Sequence, residues 1–261
     1  MRDGISIYTI GMSGAELSTI PKIIHQIWLG SNPKPLPWIK TVKDFCKAYG
    51  YKYMIWSEAS IEALGLDEIP GLRSVFAEQK ELAGKADIIR LLVLYKFGGV
   101  YIDADTVIMK SAKFHAFLEA NKAAVFFGWE DLPLKRSIKI GKIDGVYKKR
   151  LVANGLIGSI PKHAFIRTLF ERIVANAKGE AGEDAWKQVG PLFVTRVYES
   201  TRDWYPDVHV YPMKYFYPIH WGGLSDPEHH LKVKIPAESM LFQYGYSTNS
   251  FDRVFWELKN L

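Results

Sequence analysis

The chain has 261 residues, 48% of them hydrophobic, and a formal net charge of +6 at neutral pH, enough apolar material for one sizeable core. It contains no run of eighteen apolar residues, which excludes a transmembrane helix, and its only cysteine, Cys46, excludes an internal disulfide and any thiol-rich metal cage. The positive balance points to an anionic partner, whether nucleic acid, membrane surface or phosphorylated substrate, without choosing among them.

Residues 1–19 read as an N-terminal extension without the basic end and apolar stretch of a signal peptide. The β-branched and aromatic run KIIHQIWLG (22–30) predicts the first strand. Pro33, Pro35 and Pro37 then precede a helix with Trp38, Val42, Phe45 and Tyr49 on one face, capped by Gly50, and YKYMIWS (51–57) predicts the second strand. One long helix is expected over 75–97, carrying a stripe of Leu82, Ala86, Ile89, Val93 and Lys96 and ended by Gly98 and Gly99. A strand follows at 100–103, a helical patch at 113–120, strands at 123–129 and 155–160, and a helix at 163–177. Residues 128–152 read as a mobile basic loop, with seven basic residues and one acid, Asp144, between 135 and 150. The aromatic, proline-rich C-terminal third is expected to wrap the sheet. This alternation predicts an α/β fold in a single domain over 1–261.

Two aspartates interrupt the apolar strand in GGVYIDADTVIM (98–109). Ligands of α/β sheets bind beyond the carboxyl ends of strands, and on extended chain Asp103 and Asp105 point the same way, so both can approach one hard divalent cation. Few carboxylates suit Mg²⁺ or Mn²⁺ shared with a diphosphate. A strand-terminal turn would also account for the pair.

The string KADIIRLLVLYKFGGVYIDADTVIM resembles glycosyltransferase family 32, whose DXD sugar-binding region runs from an A-D-x-x-R helix through L-Y-x-x-G-G-V-Y to the D-x-D. Residues 86–105 match it almost position by position. IPKIIHQIWLG (20–30), VANGLIGSIPKH (152–163) and VGPLFVT (189–195) are similar to further blocks of the family. The resemblance implies a GT-A type α/β fold with a Rossmann-like mixed sheet flanked by helices, a UDP- or GDP-hexose donor, Mn²⁺ or Mg²⁺, and retaining transfer to a glycan or lipid-linked acceptor. Large clostridial glucosylating toxins share that core more distantly, which leaves protein modification as an alternative. By position, Asp103 and Asp105 would hold the metal, Asp87 and Arg90 the donor sugar hydroxyls, Trp28 the base, Tyr101 the nucleoside, and Asn154 the sugar or acceptor.

The tail departs from the family pattern. FQYGYSTNSFDRVFW lacks the usual histidines and Ser-Trp pair, which leaves Asn249 as a metal ligand, Ser250 at the diphosphate, a water, or His220 to complete the site. Breaking the sugar–phosphate bond builds oxocarbenium character and leaving-group charge, and a covalent route would need a carboxylate such as Glu130 or Asp131. The membrane anchor of fungal and animal relatives is not seen in the sequence, which implies a cytoplasmic enzyme with peripheral contact at the inner face of a membrane. Asp87 with Arg90 also fits an ordinary helix ion pair, and Trp28 and Tyr101 fit core packing. A metal-dependent nuclease would need more carboxylates, nucleic acid is not expected as a partner, and a non-catalytic carbohydrate-binding module has no use for A-D-x-x-R before D-x-D.

Overall fold

The computed structural model describes residues 19–132, 142–143, 146–147, 150–177, 184–219 and 234–245. Strand β1 (Ile23–Ile27) leads through the proline cluster to helix α1 (Leu36–Tyr49), which buries Trp38, Val42 and Phe45 on the expected face, with Cys46 beside them, and closes at Gly50. Strand β2 (Lys52–Trp56) follows, then the short helix α2 (Glu58–Ile61).

The single helix expected over 75–97 is two helices, α3 (Leu72–Glu78) and α4 (Leu82–Phe97). The break falls at Gln79, which is buried and donates its side-chain amide to Gln188 at 3.2 Å, so a tertiary contact overrides local helix propensity. The expected stripe on α4 fails for the same reason: Leu82 is 48% exposed, whereas every residue from Asp87 to Leu94 is buried. This helix is enclosed by the sheet on one side and other helices on the other, so no polar face is needed.

Gly98 and Gly99 turn α4 directly into strand β3 (Gly99–Ile102). Gly98 has φ +63°, and at Gly99 (φ +97°) a Cβ would stand 2.5 Å from the Ile23 carbonyl oxygen, so neither position admits a side chain. Strand β4 (Thr106–Ile108), helix α5 (Ser111–Ala120) and strand β5 (Val125–Asp131) come next. The two-residue strands β6 (Lys142–Ile143) and β7 (Val146–Tyr147) pair with each other. Strand β8 (Arg150–Ser159) precedes helices α6 (Ala164–Asn176), α7 (Ala185–Gln188) and α8 (Pro191–Thr201), strand β9 (Val208–Tyr211) and strand β10 (Leu241–Gln243).

The expected 128–152 loop is therefore shorter at both ends. Residues 128–131 complete β5 and 150–152 open β8, because the two strands stay paired out to Asp131 opposite Arg150, where the guanidinium lies 4.0 Å over the Trp129 ring. Most of the remaining basic run lies outside the described residues.

Six strands make one sheet in the order β2-β1-β3-β8-β5-β9. Within it β8 alone runs antiparallel to its neighbours, and the β1–β2, β1–β3 and β5–β9 pairs are parallel. Side-chain alternation divides the interior in two: Tyr101, Val152 and Ile157 face the core built with α4, α6 and α8, while Val100, Ile102 and Ala153 face the core built with α1, α5 and the aromatic segment around Phe216. The C-terminal aromatics thus cover the sheet as expected.

His25 ties three elements together in the centre of this sheet. Trp56 Nε1 donates to its Nδ1 at 3.1 Å, which leaves Nε2 as the protonated nitrogen that donates to the Gly98 carbonyl at 2.9 Å. Burial is the main cause that lowers its pKa from 6.5 to about 4, with Lys52 adding to it and the Gly98 bond opposing. Between these two values the unfolded chain binds the extra proton and the folded one does not, so stability falls as pH drops from 6.5 towards 4. The contribution is at most roughly 3 kcal/mol. Chemical denaturation at a series of pH values should therefore show a smaller acid loss for His25→Gln, which keeps one acceptor and one donor without a titrating ring, than for the unmodified chain.

Candidate active site

Strand alternation delivers the key side chains to one face. Tyr101 points towards α4, and Asp103, two residues further along, continues in that direction, while on β8 Val152 faces α4 and Asn154 follows it. Asp103 and Asp105 do not lie on extended chain as expected. The Thr106 N–H donates to the Asp103 carbonyl at 3.1 Å, so residues 103–106 form a β-turn, and the turn presents both carboxylates to one cleft. The turn is pinned to β8 by the Asp103 N–H donating to the Gly155 carbonyl at 2.8 Å.

A bulge in β8 makes this contact possible. Phe126 on β5 pairs with Gly158 and Gly128 with Ala153, so residues 154–157 leave β5 while Leu156 and Ile157 remain opposite Ile102 and Tyr101 of β3. On α8, the Thr195 hydroxyl accepts from the Val152 N–H at 2.8 Å and steadies the strand just before the excursion.

Arg90 sits at the centre, 6% exposed. Its guanidinium donates to the Asn154 carbonyl at 2.6 Å, lies 3.1 Å from Asp87 Oδ1 and 3.4 Å from Asp103 Oδ1, and stacks 4.6 Å from the Tyr101 ring centre. The Asn154 amide donates to Asp87 Oδ1 at 2.9 Å, and the Tyr101 hydroxyl donates to Asp103 Oδ1 at 2.7 Å. Burial, reinforced by Asp103, pushes the Asp87 carboxyl up to about 7 against the pull of Arg90 and Asn154. The neighbouring acids and Tyr101 hold the Arg90 guanidinium charged despite its desolvation. This is a buried network rather than a surface ion pair.

These residues form the floor of a cleft of about 650 Å³. Trp28 lines it, half-buried, with its indole N–H donating to the Asn32 carbonyl at 2.8 Å. Of the two strand carboxylates singled out in the sequence, Glu130 lines the cleft and Asp131 is exposed outside it. Asn249, Ser250, His220 and His230 lie outside the described residues. Three contributors had no signal in the sequence. Gln243 donates to Asp103 Oδ2 at 2.6 Å, Gln26 donates to the Asp103 carbonyl at 3.2 Å, and Trp186 lines the cleft near Asp87. Glutamines in apolar strands and a tryptophan in a charged segment show their place only once the chain is folded.

The chemistry of the floor suits a hard divalent cation. Among the described lining residues Glu81, Asp87, Asp103, Asp105 and Glu130 oppose one cationic group, Arg90. Beside Asp103 a Cβ on Gly155 would stand 2.7 Å from Oδ2, so only a glycine lets the carboxylate lie this close to β8. Asp103 and Asp105 would supply hard oxygen ligands there.

Residues 36–123 match the family model of the glycosyltransferase sugar-binding region containing a DXD motif, in line with the resemblance read from the sequence. Inositol phosphoceramide mannosyltransferase 3 of Schizosaccharomyces pombe is 29% identical over 100 residues, covering 38% of this chain and 28% of that protein. Mannosyl phosphorylinositol ceramide synthase CSH1 of Saccharomyces cerevisiae is 24% identical over 197 residues, covering 71% of this chain and 44% of that protein. The chain thus spans less than half the length of these relatives. The structure of the PaToxG glycosyltransferase superposes with a TM-score of 0.50 at 21% identity, covering 70% of each chain, and the fold is of the GT-A type expected from the sequence.

Removing one partner from a buried ion pair strands the other without solvent. Arg90→Met should therefore cost about 3 kcal/mol or more in urea unfolding, and Asp87→Asn, which keeps an acceptor oxygen for Arg90 and Asn154, distinctly less.

Proposed function

We propose that the chain is a metal-dependent glycosyltransferase that moves a hexose, with retention, from a UDP- or GDP-sugar to a hydroxyl of a glycan or lipid-linked acceptor. The convergence of Asp87, Arg90, Asp103 and Asn154 on one cleft floor carries this reading. A cleft of about 650 Å³ is of the size that encloses a ligand like a nucleotide sugar. The names of the mannosyltransferase relatives support mannose as the hexose and a glycolipid as the acceptor.

Each residue then has a physical task. Trp28 offers an indole face for the base, a contact worth roughly 1 to 3 kcal/mol. Asp103 and Asp105 hold Mn²⁺ or Mg²⁺, which when bound would act as a Lewis acid on the diphosphate and its leaving charge. Asp87 takes Arg90 and Asn154 on Oδ1, so Oδ2 is the oxygen to receive a donor sugar hydroxyl. Arg90, already charged and fixed, orients Asp87 and Asp103 and needs no reorganisation as the bond breaks. Glu130, which lines the cleft, is the carboxylate available for a covalent route, and Tyr101 fixes Asp103 in one orientation.

Expected outcomes separate these tasks. Asp103→Asn and Asp105→Asn should each lower nucleotide-sugar turnover by roughly two orders of magnitude or more while the melting temperature holds. Asp87→Asn should lower turnover similarly yet leave UDP or GDP binding with Mn²⁺ intact by calorimetry. A thermal-shift panel of nucleotide sugars with Mn²⁺ picks the donor, since ligand binding stabilises the fold by mass action. Full activity in both D-x-D variants would sink the metal assignment, and lost diphosphate binding in Asp87→Asn would move that residue off the sugar.

A further inference from the structure

We propose that Gln243 is a third protein ligand of the divalent cation, and that it becomes one by inverting its side-chain amide. This rests on the reading of Asp103 and Asp105 as cation-holding residues and adds a residue that lies outside the D-x-D motif. Among the described residues no three His, Cys, Asp or Glu side chains converge on a common point, so a third side-chain ligand drawn from them has to be of another type.

Strand β10 fixes where Gln243 stands. It runs antiparallel to β4 with Gln243 opposite Thr106, and the next residue, Tyr244, donates its N–H to the Asp105 carbonyl at 3.0 Å. The backbone is therefore clamped to the D-x-D turn on either side of the glutamine. From that clamp the Nε2 atom reaches Asp103 Oδ2 at 2.6 Å.

The two oxygens of Asp103 are not equivalent. Oδ1 accepts from the Tyr101 hydroxyl at 2.7 Å and faces Arg90 at 3.4 Å. A cation approaching this carboxylate is left with Oδ2, where the Gln243 N–H₂ group already donates. A cation entering between Oδ2 and Gln243 would meet the positive hydrogens of the N–H₂ group, so its binding favours turning the amide. A half-turn about the terminal torsion does this without backbone movement, because that torsion is broad and two-fold. The half-turn brings Oε1, a hard neutral oxygen, to the place Nε2 leaves. Gly155 backs this pair: with no side chain it lets both amide atoms and Asp103 Oδ2 close on its backbone, where an added Cβ would stand 2.9 Å from Oε1, 3.0 Å from Nε2 and 2.7 Å from Oδ2.

In the cation-free state the amide offsets the charge of Asp103 with a hydrogen bond, and in the loaded state it becomes a ligand. Two carboxylates and an amide oxygen form an all-oxygen set, which suits Mg²⁺ and Mn²⁺ over metals that seek nitrogen or sulfur.

The test measures Mn²⁺ affinity directly, from the paramagnetic resonance signal of free Mn²⁺ titrated with the full chain in the presence of UDP or GDP, without reference to turnover. Gln243→Leu should weaken Mn²⁺ by roughly ten-fold. Gln243→Glu, which supplies a charged oxygen without a donor, should bind Mn²⁺ at least as tightly as the unmodified chain and show a larger Mn²⁺-induced rise in melting temperature. If Gln243→Leu binds Mn²⁺ as well as or better than the unmodified chain, the amide only competes with the cation and the proposal is overturned. If the unmodified chain binds no Mn²⁺ with either diphosphate, or Asp105→Asn binds it undiminished, the reading of the D-x-D fails first and this one with it.

Discussion

Everything at the cleft floor depends on keeping the Arg90 guanidinium charged where almost no water reaches it. A buried cation is tolerated only when its donors are met by acceptors on several sides. Here those acceptors come from four places: the Ala86 carbonyl one turn back, Asp87 on the same helix, Asp103 after β3, and the Asn154 carbonyl on β8. The Tyr101 ring closes the remaining face. Satisfying one side chain therefore fixes the mutual positions of α4, β3 and β8, and the ligand-facing carboxylates inherit that rigidity.

The sheet topology makes those four places meet. Because β8 is antiparallel between β3 and β5, its chain passes the carboxyl end of β3 in its first half, and the bulge at 154–157 lets it leave β5 there. A regular ladder would keep the Asn154 carbonyl engaged with β5. The bulge instead frees that carbonyl for Arg90, while the Asn154 side-chain amide donates to Asp87. Gly155 follows for a steric reason, since any larger residue would run into Asp103 and Gln243.

Local signals were legible in the sequence where burial is one-sided or geometry is special. The α1 face, the glycine pair and the strand character of β1, β2, β3 and β5 could be read because each follows from period or from a required positive φ. The stripe on α4 could not, since a helix buried all round has no preferred face. The break at Gln79 was equally invisible, being set by Gln188, far along the chain. At the site, Asp103 and Asp105 were recognisable as a spaced pair, and Asp87, Arg90, Asn154 and Tyr101 through the resemblance. Gln26 and Gln243 act through single hydrogen bonds to Asp103 that only strand register creates. The turn at 103–106 shows that a structural and a ligand-binding reading of D-x-D are compatible: the turn is the device that presents the carboxylates.

The balance of charge adds a last constraint. A chain with a net charge of +6 suggested attraction for an anionic partner, yet the described lining of the cleft carries five carboxylates and a single guanidinium. A bare diphosphate entering that cleft would meet repulsion at a distance where water screens poorly. Arg90 reduces the repulsion without reversing it. A divalent cation would reverse it locally, so under the proposed function cation and diphosphate would be mutually dependent ligands, each removing the electrostatic penalty that opposes the other. Binding of the two should accordingly be strongly cooperative, and by linkage the factor by which Mn²⁺ tightens the diphosphate has to equal the factor by which the diphosphate tightens Mn²⁺.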